Sequence, residues 1–226
     1  MKTLTKILFG LILIAGLASC KGESKAQKAG DAAATAEATV ASKTYTVSPA
    51  ESNILWVGSK KVGDSAHSGT IKISKGTLAA EGNKITSGTF EIDMNTVTNV
   101  DMSGSDGAGK LEGHLKNADF FDVAKFPTAS FSITSVAPLA GDENANYTIN
   151  GNLTLKGIEK NISFPANVVT VGNKISAAAA SFAINRTDWG VKYGSGNFFK
   201  ELTADKIIND DIMLTIDLMA TTGAVQ

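Results

Sequence analysis

The sequence predicts an all-β domain of about eight strands, an antiparallel barrel with one short helix. Three observations lead there. Apolar and polar residues alternate with period two in short stretches, glycine, asparagine and aspartate separate the stretches, and no long amphipathic helical pattern comes between them. A sandwich fits the same pattern, but closure into a barrel removes the exposed sheet edges.

The first strand is read at Tyr45 to Val47 and the next at Ile54 to Val62. Ile71 and Ile73 then alternate with Thr70, Lys72 and Ser74, and Phe90, Ile92 and Met94 alternate with Glu91, Asp93 and Asn95. In both, one face is buried and the other meets water. Further strands are read at Ala129 to Val136, Asn146 to Leu155, Asn161 to Val171 and Lys174 to Asn185. The last alternates Ile212, Leu214, Ile216 and Leu218 with Met213, Thr215, Asp217 and Met219. One segment departs from period two: at 109–119, Leu111 and Leu115 stand four apart on one face of a short helix, and Phe120 and Phe121 follow it. Such a helix lies across one end of a barrel as a plug or lid.

Ahead of this domain, Lys2 and Lys6 precede an apolar run from Ile7 to Leu17, too short to span a bilayer, and Leu17-Ala18-Ser19-Cys20 follows. The order resembles a bacterial lipoprotein signal, with cleavage before Cys20 and lipid on its thiol. The expected organisation is a signal peptide at 1–19, a lipidated Cys20 with an Ala/Lys/Glu-rich linker at 20–43, the barrel at 44–221 and a short tail at 222–226. The linker reads as a flexible spacer, because Val40 is its only large apolar residue and it cannot bury enough surface to offset its ordering entropy. Anchoring implies a bacterial cell envelope location, with the domain in the periplasm or at the cell surface.

Cys20 is the only cysteine, so no intramolecular disulfide forms and the core alone must stabilise the domain. A net charge of −1 and a pI of about 6.1 provide no long-range attraction to nucleic acid. There is no phosphate-cradling glycine fingerprint and no nucleophile elbow, and Asp210 and Asp211 are adjacent strand residues that point to opposite faces. A binding protein is therefore expected, not an enzyme.

Leu111-Glu112-Gly113-His114-Leu115, Asp119-Phe120-Phe121-Asp122-Val123 and Phe126-Pro127-Thr128-Ala129 resemble the signature stretch of YceI-like proteins. Trp56-Val57-Gly58, His67-Ser68-Gly69, Gly151 to Gly157 and Asn185-Arg186-Thr187-Asp188-Trp189-Gly190 agree in order, so the resemblance covers about Tyr45 to Ala220. It implies a lipocalin-like barrel whose elongated apolar interior binds an isoprenoid or other long-chain amphiphile, with no other cofactor. Alternation by itself leaves open whether eight strands enclose a ligand or a solid core. The rival reading is a solidly packed barrel acting as an envelope stress-response or protein-interaction module, with the glycine-rich stretch 103–109 as contact loop.

Several residues are candidates for ligand contact. Ala177 to Ala180 are small side chains on one strand that either line a tunnel or are packed over by larger neighbours; Ala178 and Ala180 are taken as its inward members. Arg186, the sole arginine, either meets an anionic head group or pairs with Asp188 or another nearby carboxylate. His67 and His114, the only histidines, suit hydrogen bonding near the helix better than metal binding with Asp119 or Asp122. Trp56, Phe90, Leu115, Phe120, Phe121, Phe131, Phe182 and Trp189 complete the set as core residues that also touch a ligand tail if the barrel is open. The expected partners are a long-chain lipid, the membrane through Cys20, and a second copy of the chain as a homodimer.

Overall fold

The computed structural model describes residues 25–223; the signal segment, Cys20 and the last tail residues lie outside them. The elements run β1 (Lys43–Val47), β2 (Asn53–Ser59), β3 (Ala66–Glu81), β4 (Lys84–Asn99), α1 (Asp106–Lys116), β5 (Thr128–Pro138), β6 (Tyr147–Leu155), β7 (Ile158–Val171), β8 (Lys174–Asn185) and β9 (Asp211–Thr221). From β2 to β9 each strand pairs antiparallel with the next, and β9 pairs back onto β2, which closes an eight-stranded barrel. The ninth strand does not widen it. β1 lies in line with β2 between the same two neighbours, β3 and β9, separated from it by a single 3-10 turn at Pro49–Glu51.

The connections alternate between two ends. Residues 60–65, 100–127, 156–157 and 186–210 lie at what we call the helix end, and the turns at 82–83, 139–146 and 172–173 at the turn end. The inward residues form one apolar core, including Ile73, Ile92, Ile149, Leu153, Phe164, Ile175 and Leu218. A second cluster of Trp56, Val97, Leu115, Phe120 and Val191 closes the helix end.

The helix starts and stops three residues earlier than its leucine spacing suggested. Ser105 accepts a hydrogen bond from the Ala108 N–H at 3.3 Å and so caps the helix before Asp106, while Asn117 is extended and ends it. Residues 106–109 of the glycine-rich stretch 103–109 are consequently helical. β2 ends at Ser59, short of Val62, because Lys60 to Val62 turn away into the loop to β3.

The segment read as a flexible spacer is a strap. From Ala26 to Ser42 it crosses the outer wall of the barrel from the helix end to the turn end. The Ala26 N–H donates to Asp211 Oδ2 at 3.2 Å and the Ala29 N–H to Asp188 Oδ2 at 3.2 Å. Gly30 exchanges two backbone hydrogen bonds with Asn161, of 2.8 and 3.0 Å. Asn152 grips both sides of Ala33, accepting from its N–H at 3.0 Å and donating to its carbonyl at 2.7 Å. The Ala36 N–H donates to the Ile133 carbonyl beside the β5 bulge, and Ser42 meets Thr86 at the turn end. The strap lacks apolar bulk because its backbone holds it in place.

Candidate functional site: an apolar lumen with a polar end

Two cavities occupy the barrel, of about 120 Å³ toward the turn end and about 220 Å³ toward the helix end. They share Ile54, Ile92, Leu153 and Leu214 as wall, so they adjoin one another along the barrel interior. A single water needs only about 10–15 Å³ on this scale, so the space far exceeds packing voids. The interior is not the solid core of the rival reading.

The turn-end stretch has hydrocarbon walls throughout. Phe90, Phe131, Phe164 and Phe182, from β4, β5, β7 and β8, form an aromatic series along it, with centroid spacings of 6.2, 5.6 and 4.5 Å. Gly151 makes room for this series, since a Cβ there would collide with the Phe131 ring. Phe90 thus stands where its strand alternation suggested, and Phe131 and Phe182, singled out as aromatic residues, line the same space. Phe164 was passed over, although Ile162, Phe164, Ala166 and Val168 alternate as clearly as any other strand.

The helix-end stretch gains polarity. Trp56, Leu111, Leu115, Phe120 and Phe121 line it together with Ser59, Lys60, Ser65, His67, Arg186 and Asn209. Leu111 and Leu115 show that α1 forms part of the lumen wall. Trp56 buries its indole Nε1 without a hydrogen-bond partner, and Gly69 lets the ring lie flat on β3, where any Cβ would strike it at 2.6 Å.

Arg186 is 1% exposed and holds the loop before β9 together. Its Nε donates to the Asn209 carbonyl at 3.0 Å, Nη1 to the Val191 carbonyl at 2.7 Å and Nη2 to the Ile208 carbonyl at 3.2 Å, and Nη2 also reaches Asp210 Oδ1 at 3.4 Å. Its carboxylate is Asp210, not Asp188, which serves the strap. Burial pushes the Arg186 guanidinium below its usual range, and Asp210 partly restores it.

His67 Nδ1 lies 3.0 Å from Asp101 Oδ2, and the Ser68 N–H also donates to Asp101, at 2.7 Å. The Ser68 N–H first and the His67 ring second hold the Asp101 carboxyl down at about 2. His114 does not line the lumen: it pairs with Asp119 at 3.2 Å and sits edge-on to Phe120 and Tyr193, behind the wall. The two histidines serve separate carboxylates, and among the described residues no three His, Cys, Asp or Glu side chains gather around a metal position.

Three further expectations are corrected. Ala178 pairs with Asn167 and Asp217 and faces outward with them, and Ala180 is exposed in a bulge of β8 between Ala179 and Phe182. The lumen alanines are Ala177 and Ala179. Trp189 is 0% exposed, lines neither stretch of the lumen and donates its Nε1 proton to the Leu153 carbonyl at 2.9 Å, so it is a core fastening.

Comparison with known proteins agrees with this architecture. The family profile described as the YceI-like domain matches residues 45–220. A UPF0312 protein of Shewanella denitrificans is 28% identical over 138 residues, 59% of this chain and 68% of its own length. Protein YceI of Salmonella arizonae is 34% identical over 105 residues, 46% of this chain and 50% of its own. Among solved structures, BcnA of Burkholderia cenocepacia is 20% identical with a TM-score of 0.53, over 77% of this chain and 99% of its own. A domain from Saccharophagus degradans, described as polyisoprenoid binding and implicated in plant cell wall breakdown, is 17% identical with a TM-score of 0.55, over 79% of this chain and 98% of its own. These two share the fold. With the profile spanning the whole barrel, the chain belongs to the YceI-like family.

Proposed function

We propose that the protein holds a long-chain amphiphile, isoprenoid-like or fatty, within the barrel, as a lipid-anchored carrier of the bacterial cell envelope. The carrying observation is the pair of adjoining cavities inside the barrel, of which the turn-end one has no polar wall and the helix-end one is lined also by Lys60, Ser65, His67 and Asn209. Such a gradient suits a tail inserted toward the turn end and a polar head at the helix end. Binding of polyisoprenoid is ascribed to the Saccharophagus domain of similar fold, which supports the same ligand class here. Binding, not catalysis, is the role this interior suits.

The test is native mass spectrometry with organic extraction of the chain purified without detergent and with its strap intact. A stoichiometric long-chain molecule supports the reading. A chain that emerges empty and takes up neither added prenyl nor fatty lipids refutes it. The anchor is tested separately: Cys20→Ala abolishes incorporation of labelled acyl chains, and persistent labelling excludes attachment at Cys20.

A further inference from the structure

We propose that the polar end of the lumen faces the membrane, with the loops of the helix end lying on the bilayer surface, so that lipid passes directly between membrane and barrel. The inference rests on the proposed lipid anchor and lumen function and adds an orientation to them.

The strap carries the argument. If residues 20–42 hung free, the barrel could tumble at the end of its tether and present any face. Instead the chain is fixed from Ala26 onward, and its first contacts, Asp211 and Asp188, belong to the helix end. Cys20 precedes Ala26 by six residues, which span at most about 20 Å even when fully extended. That is shorter than the strand direction of the barrel, since a strand as long as β3 or β4 rises about 3.3 Å per residue over 16 residues. A lipid on Cys20 therefore reaches a bilayer easily when the helix end is against it and poorly when the turn end is.

The surface of the helix end is an independent observation. Val62, Val100, Tyr193, Phe198 and Phe199 are exposed there, on three separate loops, with Lys192 Nζ 4.6 Å from the Phe198 ring centroid. Single exposed apolar residues need no explanation, but aromatic and branched side chains collected at the end where the chain is tethered do. Phenylalanine and tyrosine with a neighbouring lysine suit the bilayer interface, where rings enter the acyl boundary and the ammonium stays in water. The turn end presents polar turns such as Gly82-Asn83, Asp142-Glu143-Asn144 and Gly172-Asn173, and its exposed large apolar residues, Val40, Val169 and Val171, include no aromatic ring. The polar residues Lys60, Ser65 and Asn209 that line the helix-end stretch of the lumen belong to these same helix-end loops.

The test places a tryptophan at either end of the full chain. Phe198→Trp and Val171→Trp variants are produced from Met1 in a bacterium that processes lipoproteins, extracted from its membranes and reconstituted into phosphatidylcholine vesicles with plain or brominated acyl chains. Insertion of the rim by about 5–10 Å brings the Trp at 198 within reach of the bromines, and its added emission falls about twofold. The Trp at 171 keeps its emission. Equal quenching at both ends, quenching at 171 alone, quenching at neither, or a chain that does not partition with the vesicles overturns the orientation. Val62→Trp serves as a second rim reporter should the change at 198 disturb folding. Lipid extraction of the same preparations separates the two readings: an empty lumen with a quenched Trp at 198 refutes the carrier function and leaves the orientation standing, whereas a filled lumen with a quenched Trp at 171 does the reverse.

Discussion

Phe164 and Phe182 stack within 12° of parallel at a centroid distance of 4.5 Å, on neighbouring strands and inside the lumen. Both rings are 7% exposed and both line the turn-end cavity, so the pair is at once core and lumen wall. Phe182→Ala removes a buried ring and enlarges the lumen. The expected cost is about 3 kcal/mol in urea unfolding. The mass of co-purifying lipid measured by native mass spectrometry is expected to shift to larger species.

Enlarging a lumen alanine separates binding from folding. Ala179→Phe fills the space between β8 and the aromatic series and is expected to lower lipid content severalfold. Ala178→Phe, one residue away on the outer face, is expected to leave it unchanged. Equal lipid content in both variants argues against the lumen as the binding site.

Arg186 acts through three carbonyls and Asp210, so charge conservation is not enough at this position. Arg186→Lys loses the planar fork and leaves buried carbonyls of Val191, Ile208 and Asn209 unpaired. The expected destabilisation is about 2–4 kcal/mol by chemical denaturation. Amide exchange should quicken first at 190–209.

The carboxyl of Asp101 yields a pH dependence with a definite sign. It titrates near 3.9 in an unfolded chain and at about 2 in the fold, so the unfolded state binds more protons between those values. Its contribution is fully present above about pH 4 and is lost as pH falls toward 2. Asp101→Asn is expected to lower stability at neutral pH and to flatten the acid limb of a stability profile recorded across that window. An unchanged slope refutes the role of the Ser68 and His67 contacts.

Asn152 holds the strap by two hydrogen bonds to Ala33 and is itself 3% exposed beneath it. Asn152→Ala is expected to cost about 1–2 kcal/mol. Hydrogen–deuterium exchange should accelerate at residues 29–36 while the amides of β6 and β7 stay protected. Exchange that was already fast in the parent chain contradicts a docked strap.

The barrel was legible because period-two alternation is a local property: each strand shows in its own side chains which face meets water. Phe90 could be assigned to the interior on that basis, whereas Leu115 was legible from its helical spacing to Leu111, and Phe120, Phe121, Phe131 and Phe182 only as aromatic residues that favour burial. Within β8 the same reasoning failed at Ala178 and Ala180, because a run of identical small residues carries no phase and the bulge between Ala179 and Phe182 resets it. The partner of Arg186 was also hidden, since Asp210 lies 24 positions away and reaches it only after β8 and β9 pair. The strap left no trace in composition: most of its hydrogen bonds to the barrel come from its own backbone and meet Asn152, Asn161, Asp188 and Asp211, which are far away in the sequence. The sequence by itself determined the antiparallel all-β architecture, through alternation and turn residues that act over a few positions, while the pairing of β9 with β2 closes it. Only the tertiary structure decided that the lumen is open, which alanines face it and that the segment before β1 is docked, because each depends on contacts between residues far apart in the chain.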